Sequence, residues 1–299
     1  MAKVGYISVE EAAKLWNLSE RSVRNYCSQG RVPGALLDGK TWKVPSSAEK
    51  PGRKIRHAEK ESNLLSFLKR EKEAGLKGGI YHKIQIDLTY NSNHMEGSKL
   101  THDQTRYIFE TKTIGITDKA VKVDDIVETV NHFRCIDYVI DHATDKVTEA
   151  HIKQLHRILK ANTSDSQKDW FVVGDYKKLP NEVGEEKTVE PKAVHKHMAK
   201  LISDFNSKGT ISLDDVIDFH VKFERIHPFQ DGNGRVGRLL MLWQCLQNRI
   251  VPFIISEELR LFYYRGIQKW GRVNEFMQDT CLTAQDNYKA LLDYFKIKY

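Results

Sequence analysis

The sequence of 299 residues predicts a mainly α protein, with one large helical domain and a small N-terminal domain. Three observations lead to this fold class. Apolar residues recur at spacings of three and four through most of residues 58–299, which is the period of amphipathic helices. Strand and turn patterns are confined to two short stretches, at residues 32–44 and 179–188. Charge is also uneven, because residues 1–60 contain 12 Lys and Arg and 6 Asp and Glu, a net +6, while the whole chain carries +7.

Residues 1–48 are predicted to form two short helices followed by a β-hairpin. The segment Ser8-Val-Glu-Glu11 has the spacing of a capping box, which opens the first helix. A turn at residues 17–19 leads into the second helix, and Gly30 ends it. The hairpin is predicted because Asp38-Gly39, a favoured hairpin turn, lies between two short strand patterns. A helix–turn–helix with a hairpin wing is therefore expected.

This arrangement resembles the small winged helix–turn–helix domains of excisionase-like and MerR-like DNA-binding proteins. The resemblance implies that the second helix enters the major groove and that the hairpin lies along the phosphate backbone. The candidate contacts are Arg21, Arg24 and Asn25 with bases, and Lys40 and Lys43 with phosphates. The net charge favours a polyanionic partner, but so few basic side chains support only modest, salt-dependent affinity. The alternative is a basic module that docks onto another protein or onto the rest of this chain.

Residues 49–57 are predicted to be a linker, and residues 58–299 to be the large helical domain. Ser, Pro, Gly and charged residues dominate the sequence from 45 to 56, which is typical of a connection between domains. The larger segment is long enough to bury one helical core. It also contains helix-capping signals at Thr101-His-Asp-Gln104 and at Thr148.

The twelve residues from His227 to Arg238 bring together a base, a carboxylate, glycine-flanked amides and two cations. Helical patterns on both sides predict a corner between two helices, the second starting near Gly234. The start of a helix leaves backbone N–H groups unpaired and carries a partial positive charge, so it favours an anion. Glycines on both sides of Asn233 allow the backbone to curl around phosphate oxygens. The segment therefore predicts a phosphate-binding site.

Two other nucleotide-binding motifs are excluded. The segment Gly232-Asn-Gly-Arg-Val-Gly237 spells the dinucleotide-binding pattern G-x-G-x-x-G, and Glu257 lies about 20 residues further on. That pattern requires a strand before the glycines, whereas the residues before Gly232 have helical period. The segment Gly34-Ala-Leu-Leu-Asp-Gly-Lys-Thr41 spells the Walker P-loop pattern G-x-x-x-x-G-K-S/T, but it lies in the predicted hairpin, whereas a P-loop leads from a strand into a helix.

The segment matches every defined position of the signature of Fic-domain proteins, H-x-F-x-D/E-G-N-G-R-x-x-R, and the chain resembles this family. The resemblance implies transfer of AMP from ATP, with Mg²⁺, to a Ser, Thr or Tyr hydroxyl of a protein. A histidine suits this reaction as a base, because its pKa lies near neutral pH. The resemblance assigns the roles of general base to His227, loop anchor to Phe229, Mg²⁺ ligand to Asp231, phosphate cradle to Gly232, Asn233 and Gly234, β-phosphate contact to Arg235 and γ-phosphate contact to Arg238.

A second segment, Ser92-Asn-His-Met-Glu96-Gly97, resembles the inhibitory motif S/T-x-x-x-E-G/N of Fic proteins. Ser92 and Glu96 are four residues apart, so they share a face of the helix predicted at about 80–97. The resemblance implies that Glu96 pairs with Arg238 and holds ATP in an unproductive pose. It also suggests a second activity, in which the same glutamate positions water to remove AMP from a modified target. The alternative is a surface glutamate that pairs with Lys99 or with solvent.

Two further resemblances concern the protein target and adenine. Residues 174–178 resemble a diverged G-x-Y-R motif, and residues 179–188 predict a hairpin flap of the kind that Fic proteins pair with the main chain of a target. A plain surface loop would have the same composition. Tyr263 and Tyr264 resemble a family position that contacts adenine, although aromatic pairs on helices are more often core residues.

The remaining composition bears on compartment and metals. No signal peptide and no apolar run of membrane-spanning length occur in the sequence, and the four cysteines are scattered, which predicts reduced thiols in the cytoplasm. His195, His197, His220 and His227 match no zinc pattern, and the other histidines are expected at the surface or in the core. Self-modification and a homo-oligomer stay open. The rival function is a DNA-binding regulator whose large domain only senses a nucleotide.

Overall fold

The computed structural model describes residues 5–28, 30–39, 41–51, 63–115, 120–183 and 186–299. The chain divides into two compact units, which comprise residues 1–61 and 62–299. Lys40, most of the expected linker and the tip of the expected flap lie outside the described residues. The prediction of a mainly α protein is confirmed.

The first unit combines two helices with a three-stranded antiparallel sheet. In chain order its elements are β1 (Tyr6–Ser8), α1 (Val9–Trp16), α2 (Glu20–Ser28), β2 (Leu36–Asp38) and β3 (Thr41–Pro45). The strand order is β1-β3-β2, with Ile7 opposite Val44 and Leu37 opposite Trp42. The strand β1 is an addition to the predicted hairpin, because its three residues are too few to show a period.

Local signals explain where α1 begins and ends. Ser8 accepts a hydrogen bond from the backbone of Glu11, whose side chain accepts one from the backbone of Ser8, which is the predicted capping box. Asn17 ends the helix in the left-handed conformation, with φ at 49°. A small apolar cluster formed by residues of α1, α2 and β3 includes Trp16, Val23 and Val44. The unit therefore has a hydrophobic core of its own.

The second unit contains ten α-helices among the described residues. The first five are α3 (Leu64–Ala74), α4 (Ile80–Met95), α5 (His102–Thr111), α6 (Val123–His142) and α7 (Glu149–Lys160). After a short hairpin of β4 (Glu182–Val183) and β5 (Glu186–Lys187) follow α8 (Pro191–Asn206), α9 (Leu213–Ile226), α10 (Asn233–Gln247), α11 (Arg260–Lys269) and α12 (Glu275–Tyr294).

Helix α10 is the centre of this unit. Every residue from Asn233 to Leu246 is buried, as expected for a helix surrounded by others. It packs against α9, α6, α4 and α7. The ends of α4, α7 and α9 thereby approach the N-terminal end of α10, where backbone N–H groups lack partners within the helix. The candidate site lies at this end of α10.

Within the described ranges, no helix is both long and apolar enough to span a bilayer. The four cysteines, Cys27, Cys135, Cys245 and Cys281, are free and buried.

Candidate functional site

The loop between α9 and α10 is held in shape by the side chain of Asn233. Its Oδ1 accepts a hydrogen bond from the N–H of Phe229 at 2.8 Å, and its Nδ2 donates to the carbonyl of Phe229 at 2.9 Å. Gly232 caps α10 with φ at 82°, a conformation that glycine adopts without strain. Because the side chain of Asn233 is hydrogen-bonded to Phe229, its backbone N–H is the group that is left to bind an anion at the helix start.

His227 lies at the C-terminal cap of α9 with left-handed backbone angles, φ 51° and ψ 61°. Its Nδ1 is 3.3 Å from the carbonyl oxygen of Glu224, which only a protonated Nδ1 can satisfy. In the neutral ring Nε2 then carries the lone pair. Burial lowers the pKa of His227, so the neutral form prevails at neutral pH. The residue is therefore equipped to accept a proton at Nε2.

Phe229 anchors the loop through a histidine that the sequence analysis did not single out. Its ring is fully buried and stacks on His156, with centroids 4.0 Å apart and planes 2° from parallel. Nε2 of His156 donates to the carbonyl of Asp231 at 3.1 Å, and its Nδ1 accepts from the N–H of Gly174 at 2.9 Å. Burial lowers the pKa of His156 to about 3, so this bridge stays neutral.

A network of charged groups surrounds Asp231. Lys160 lies 2.7 Å from Oδ2 of Asp231, and Arg235 lies 3.2 Å from the same oxygen. Lys160 is also 2.5 Å from Glu128 and 3.2 Å from Asp165, and Arg235 pairs with Glu128 too. Burial opposes ionisation, but Arg235 and Lys160 outweigh it and hold the pKa of the Asp231 carboxyl well below its usual range. The carboxylate is therefore ionised.

Lys160, Glu128 and Asp165 were not predicted from the sequence. Lys160 is only 2% exposed, although a lysine near the end of a helix is normally solvated. Glu128 precedes Lys160 by 32 residues, so no local spacing connects them. These residues meet only through tertiary packing, which no local sequence pattern indicates.

Arg238 is enclosed by the end of α4. Its Nε donates to Oγ of Ser92 at 3.0 Å, and one terminal nitrogen donates to the carbonyl of Ser92 at 2.9 Å and to Oε1 of Glu96 at 2.7 Å. A Cβ placed on Gly234 would lie 2.2 Å from Oε1 of Glu96, so the carboxylate rests directly on the first turn of α10. Glu96 therefore pairs with Arg238 rather than with Lys99.

The expected flap is tied to the loop at its base. The N–H of Lys177 donates to the carbonyl of Pro228 at 2.9 Å, and Asn181 donates to that of Phe229 at 2.9 Å. Nζ of Lys177 donates to Asn181 and to Thr188, both at 2.6 Å. Burial lowers the pKa of Lys177 to about 8. The base of the β4–β5 hairpin is thus hydrogen-bonded to the loop that follows His227.

Tyr263 and Tyr264, the predicted adenine contacts, differ in exposure. Tyr263 is 1% exposed, and its hydroxyl lies 2.6 Å from Nε2 of His220 in the interior. Tyr264 is 41% exposed, its hydroxyl donates to the carbonyl of Met95, and Arg260 lies over its ring. Of the two, Tyr264 alone is accessible to a ligand.

In the first unit, Arg21, Arg24 and Asn25 are exposed on one face of α2. Arg24 forms an ion pair with Glu20 at 2.5 Å, and Lys43 on β3 lies 3.4 Å from Asp38. Both pairs are exposed, so they are weak and free to open.

Comparisons with known proteins agree with this geometry. The family model of the Fic/DOC family matches residues 146–245, a stretch that holds α7, the hairpin, the loop and most of α10. Protein adenylyltransferase fic-1 of Caenorhabditis elegans is 26% identical over 197 residues, which cover 63% of this chain and 35% of the relative. Protein adenylyltransferase Fic of Aedes aegypti is 29% identical over 208 residues, covering 68% and 38%. The match therefore spans little more than a third of the length of these curated relatives.

Solved structures are similar in fold. A Fic domain containing signaling protein from Bacteroides thetaiotaomicron has a TM-score of 0.61 at 22% identity, covering 77% of this chain and 94% of the other. Fic-1 (residues 134–508) from C. elegans has a TM-score of 0.60 at 19% identity, covering 78% and 72%. The large unit of this chain thus has the fold of these structures, and residues 146–245 match the Fic/DOC family model.

Proposed function

We propose that this Fic-domain chain is a protein adenylyltransferase, which transfers AMP from ATP to a Ser, Thr or Tyr hydroxyl, and that Glu96 restrains it. One observation carries the proposal: the carboxylate of Glu96 lies on the first turn of α10 and 2.7 Å from Arg238. A helix start beside a cation is where a phosphate would bind. The relatives named protein adenylyltransferase support the choice of reaction.

The proposed chemistry is a displacement at the α-phosphorus. Nε2 of His227 takes the proton of the target hydroxyl, whose oxygen forms a bond to the α-phosphorus while the bond to the bridging oxygen breaks and pyrophosphate leaves. The N–H groups at the start of α10 and Arg238 stabilise the charge that develops on the phosphates. The flap would align the target by pairing with its main chain.

The residues present fit a Mg²⁺ ion. Asp231 is ionised, and its bonds to Lys160 and Arg235 both use Oδ2, so Oδ1 is the oxygen that would hold the metal. Mg²⁺ in such sites usually takes one or two carboxylates and completes its shell with phosphate oxygens and water. When bound, the ion would neutralise charge on the phosphates.

The experiment compares wild type, Glu96→Gly and Glu96→Gly with His227→Ala, each incubated with Mg²⁺ and ATP labelled at the α or the γ position. We expect α label on protein to rise at least tenfold in Glu96→Gly and to vanish when His227 is also replaced. Glu73→Gly, at an exposed position of α3, is the matched control and should behave as wild type. Label from the γ position would indicate a kinase-like transfer instead, and no label at all would favour a nucleotide sensor.

The reverse reaction is tested on the same proteins. A target carrying labelled AMP is incubated with wild type and with Glu96→Gly without ATP. Release by wild type alone would assign Glu96 to water activation, whereas no release by either variant leaves transfer as the activity.

A second function, DNA binding by the first unit, rests on the exposed face of α2 beside the β2–β3 hairpin. The full chain is titrated with a fluorescent duplex of random sequence at several salt concentrations. We expect affinity to fall with salt and to drop at least tenfold in the double variant Arg21→Ala with Arg24→Ala. The control, Lys192→Ala with Lys196→Ala, removes the same charge from the exposed surface of α8. Equal loss in both would assign the binding to net charge alone.

A further inference from the structure

Three potential metal ligands meet where α6 leads into α7. His142 is the last residue of α6, Asp145 lies in the turn that follows, and His151 is in the first turn of α7. One ligand atom from each lies within 4.8 Å of the other two. Nδ1 of His142 is 2.9 Å from Oδ2 of Asp145, and the two imidazole rings are 5.3 Å apart between centroids.

The surroundings hold this group in place. The hydroxyl of Tyr138 lies 2.8 Å from Nδ1 of His151, which leaves Nε2 of that ring for another partner. The carbonyl of Asp145 accepts bonds from Nε1 of Trp243 at 3.1 Å and from Nε2 of Gln247 at 2.6 Å, so α10 fixes the turn. A second hydrogen-bonded ring nitrogen and a fixed backbone are the usual support of metal-binding histidines.

We propose that His142, Asp145 and His151 bind a divalent transition metal, of which Zn²⁺ is the best fit, with water as the fourth ligand. Two imidazoles and one carboxylate suit this borderline ion, which prefers four tetrahedral ligands. Tetrahedral bonds of about 2.0–2.2 Å separate the donor atoms by roughly 3.4 Å, so the more distant donors must approach by roughly 1 Å and the hydrogen bond between His142 and Asp145 must give way to the metal. The side chains of His142 and Asp145 are 38% and 51% exposed, so they have room to turn.

The arrangement of the three side chains is closer than their separate contacts require. An ordinary ion pair would explain the contact between His142 and Asp145, and a hydrogen bond to Tyr138 would explain the position of one nitrogen of His151. Neither explains why His151 lies beside the other two residues.

The proposed site is distinct from the phosphate site. His151 and Lys160 are nine residues apart on α7, a separation of about 14 Å along a helix axis. Metal binding here would join α6 to α7 and stabilise the fold, whatever reaction the large unit catalyses.

The test is calorimetric titration of the untagged full-length chain with ZnCl₂. We expect one Zn²⁺ per chain, at least tenfold weaker binding in His151→Ala and in the nearly isosteric Asp145→Asn, and unchanged binding in the control His195→Ala with His197→Ala. Those control histidines are exposed on α8. Zn²⁺ should also raise the melting temperature of wild type but not of Asp145→Asn, and Co²⁺ should give the intense visible absorption of a tetrahedral complex only in wild type. Absence of binding, or binding that Asp145→Asn and His151→Ala leave intact, would overturn the proposal.

Discussion

The guanidinium of Arg238 is divided between Ser92 and Glu96, and the two contacts can be separated by mutation. Ser92→Ala removes the hydroxyl that accepts from Nε but keeps the carbonyl bond and the ion pair. A buried donor without a partner costs about 1–3 kcal/mol, so Arg238 should be held less firmly. We expect AMP transfer by Ser92→Ala to lie between wild type and Glu96→Gly, measured with α-labelled ATP. Ser203→Ala, exposed on α8, is the control. Activity equal to wild type would show that Ser92 does not contribute to the restraint.

Substitution of Gly234 tests whether the carboxylate of Glu96 lies beside it in solution. In Gly234→Ala the new methyl group would clash with the carboxylate of Glu96, so we expect the free energy of unfolding to fall by about 1–3 kcal/mol. In the Glu96→Gly background only a contact of 3.0 Å with a terminal nitrogen of Arg238 remains, and alanine is the better helix former. The same substitution should therefore destabilise that background less than it destabilises wild type. Urea unfolding of the four proteins gives the coupling directly, and additive effects would place Glu96 elsewhere in solution.

His227 determines the acid limit of the proposed reaction. Burial lowers its pKa, so the ring stays neutral at pH values where an exposed histidine, with a pKa of about 6.5, would be protonated. The base form is lost only as pH falls through this lowered pKa. We therefore expect kcat/KM for Glu96→Gly to stay level down to below pH 6.5 and then to decrease. A fall that begins above pH 7 would mean that another group controls the reaction.

At the scale of elements, α7 is joined to the α9–α10 loop by Lys160 and by His156. Replacing Lys160 by Met leaves Arg235 as the one cation that Glu128 and Asp231 share, and breaking such a buried pair typically costs about 3–5 kcal/mol. Because Asp231 is partly exposed, we expect a loss near the lower end, about 3 kcal/mol, in chemical denaturation. Lys168→Met is the control, since Lys168 pairs with Asp165 at the surface and should cost less than about 1 kcal/mol. Similar losses in both variants would contradict the central role of Lys160.

The same helix shows how far sequence reasoning reaches. Its start at Thr148 was predictable because a side-chain cap is a local signal, and α5 began at its predicted capping box for the same reason. The corner at His227 was predictable because helical period and glycines flank it. The pairing of Lys160 with Glu128 was not, since only tertiary packing brings α6 and α7 together at this point.

Tyr263 illustrates a second limit of sequence reasoning. The family position predicts contact with adenine, and in this structure the side chain packs inward, with its hydroxyl beside His220. Neighbouring tyrosines on a helix point about 100° apart, so one of the pair could be buried while the other stayed accessible. The sequence alone does not say which, because both faces of α11 carry aromatic and apolar residues.

At the scale of the whole molecule, each unit has a separate hydrophobic cluster. The described core residues of the first unit lie between Val9 and Val44, and those of the main cluster of the second begin at Leu64. Almost all of the net positive charge falls within residues 1–60, whereas the proposed catalytic groups all follow residue 90. The two proposed functions should therefore be separable.

We expect a chain of residues 58–299 carrying Glu96→Gly to keep AMP transfer within about twofold of the 299-residue variant and to lose duplex binding, since the electrostatic part of DNA affinity follows the basic side chains. Labelled AMP transfer and fluorescence anisotropy measure the two properties on the same preparation, and circular dichroism checks that the shortened chain is folded. Retained duplex binding would place the DNA contacts on the large unit, and lost transfer by a folded chain would make the first unit part of the catalytic machinery.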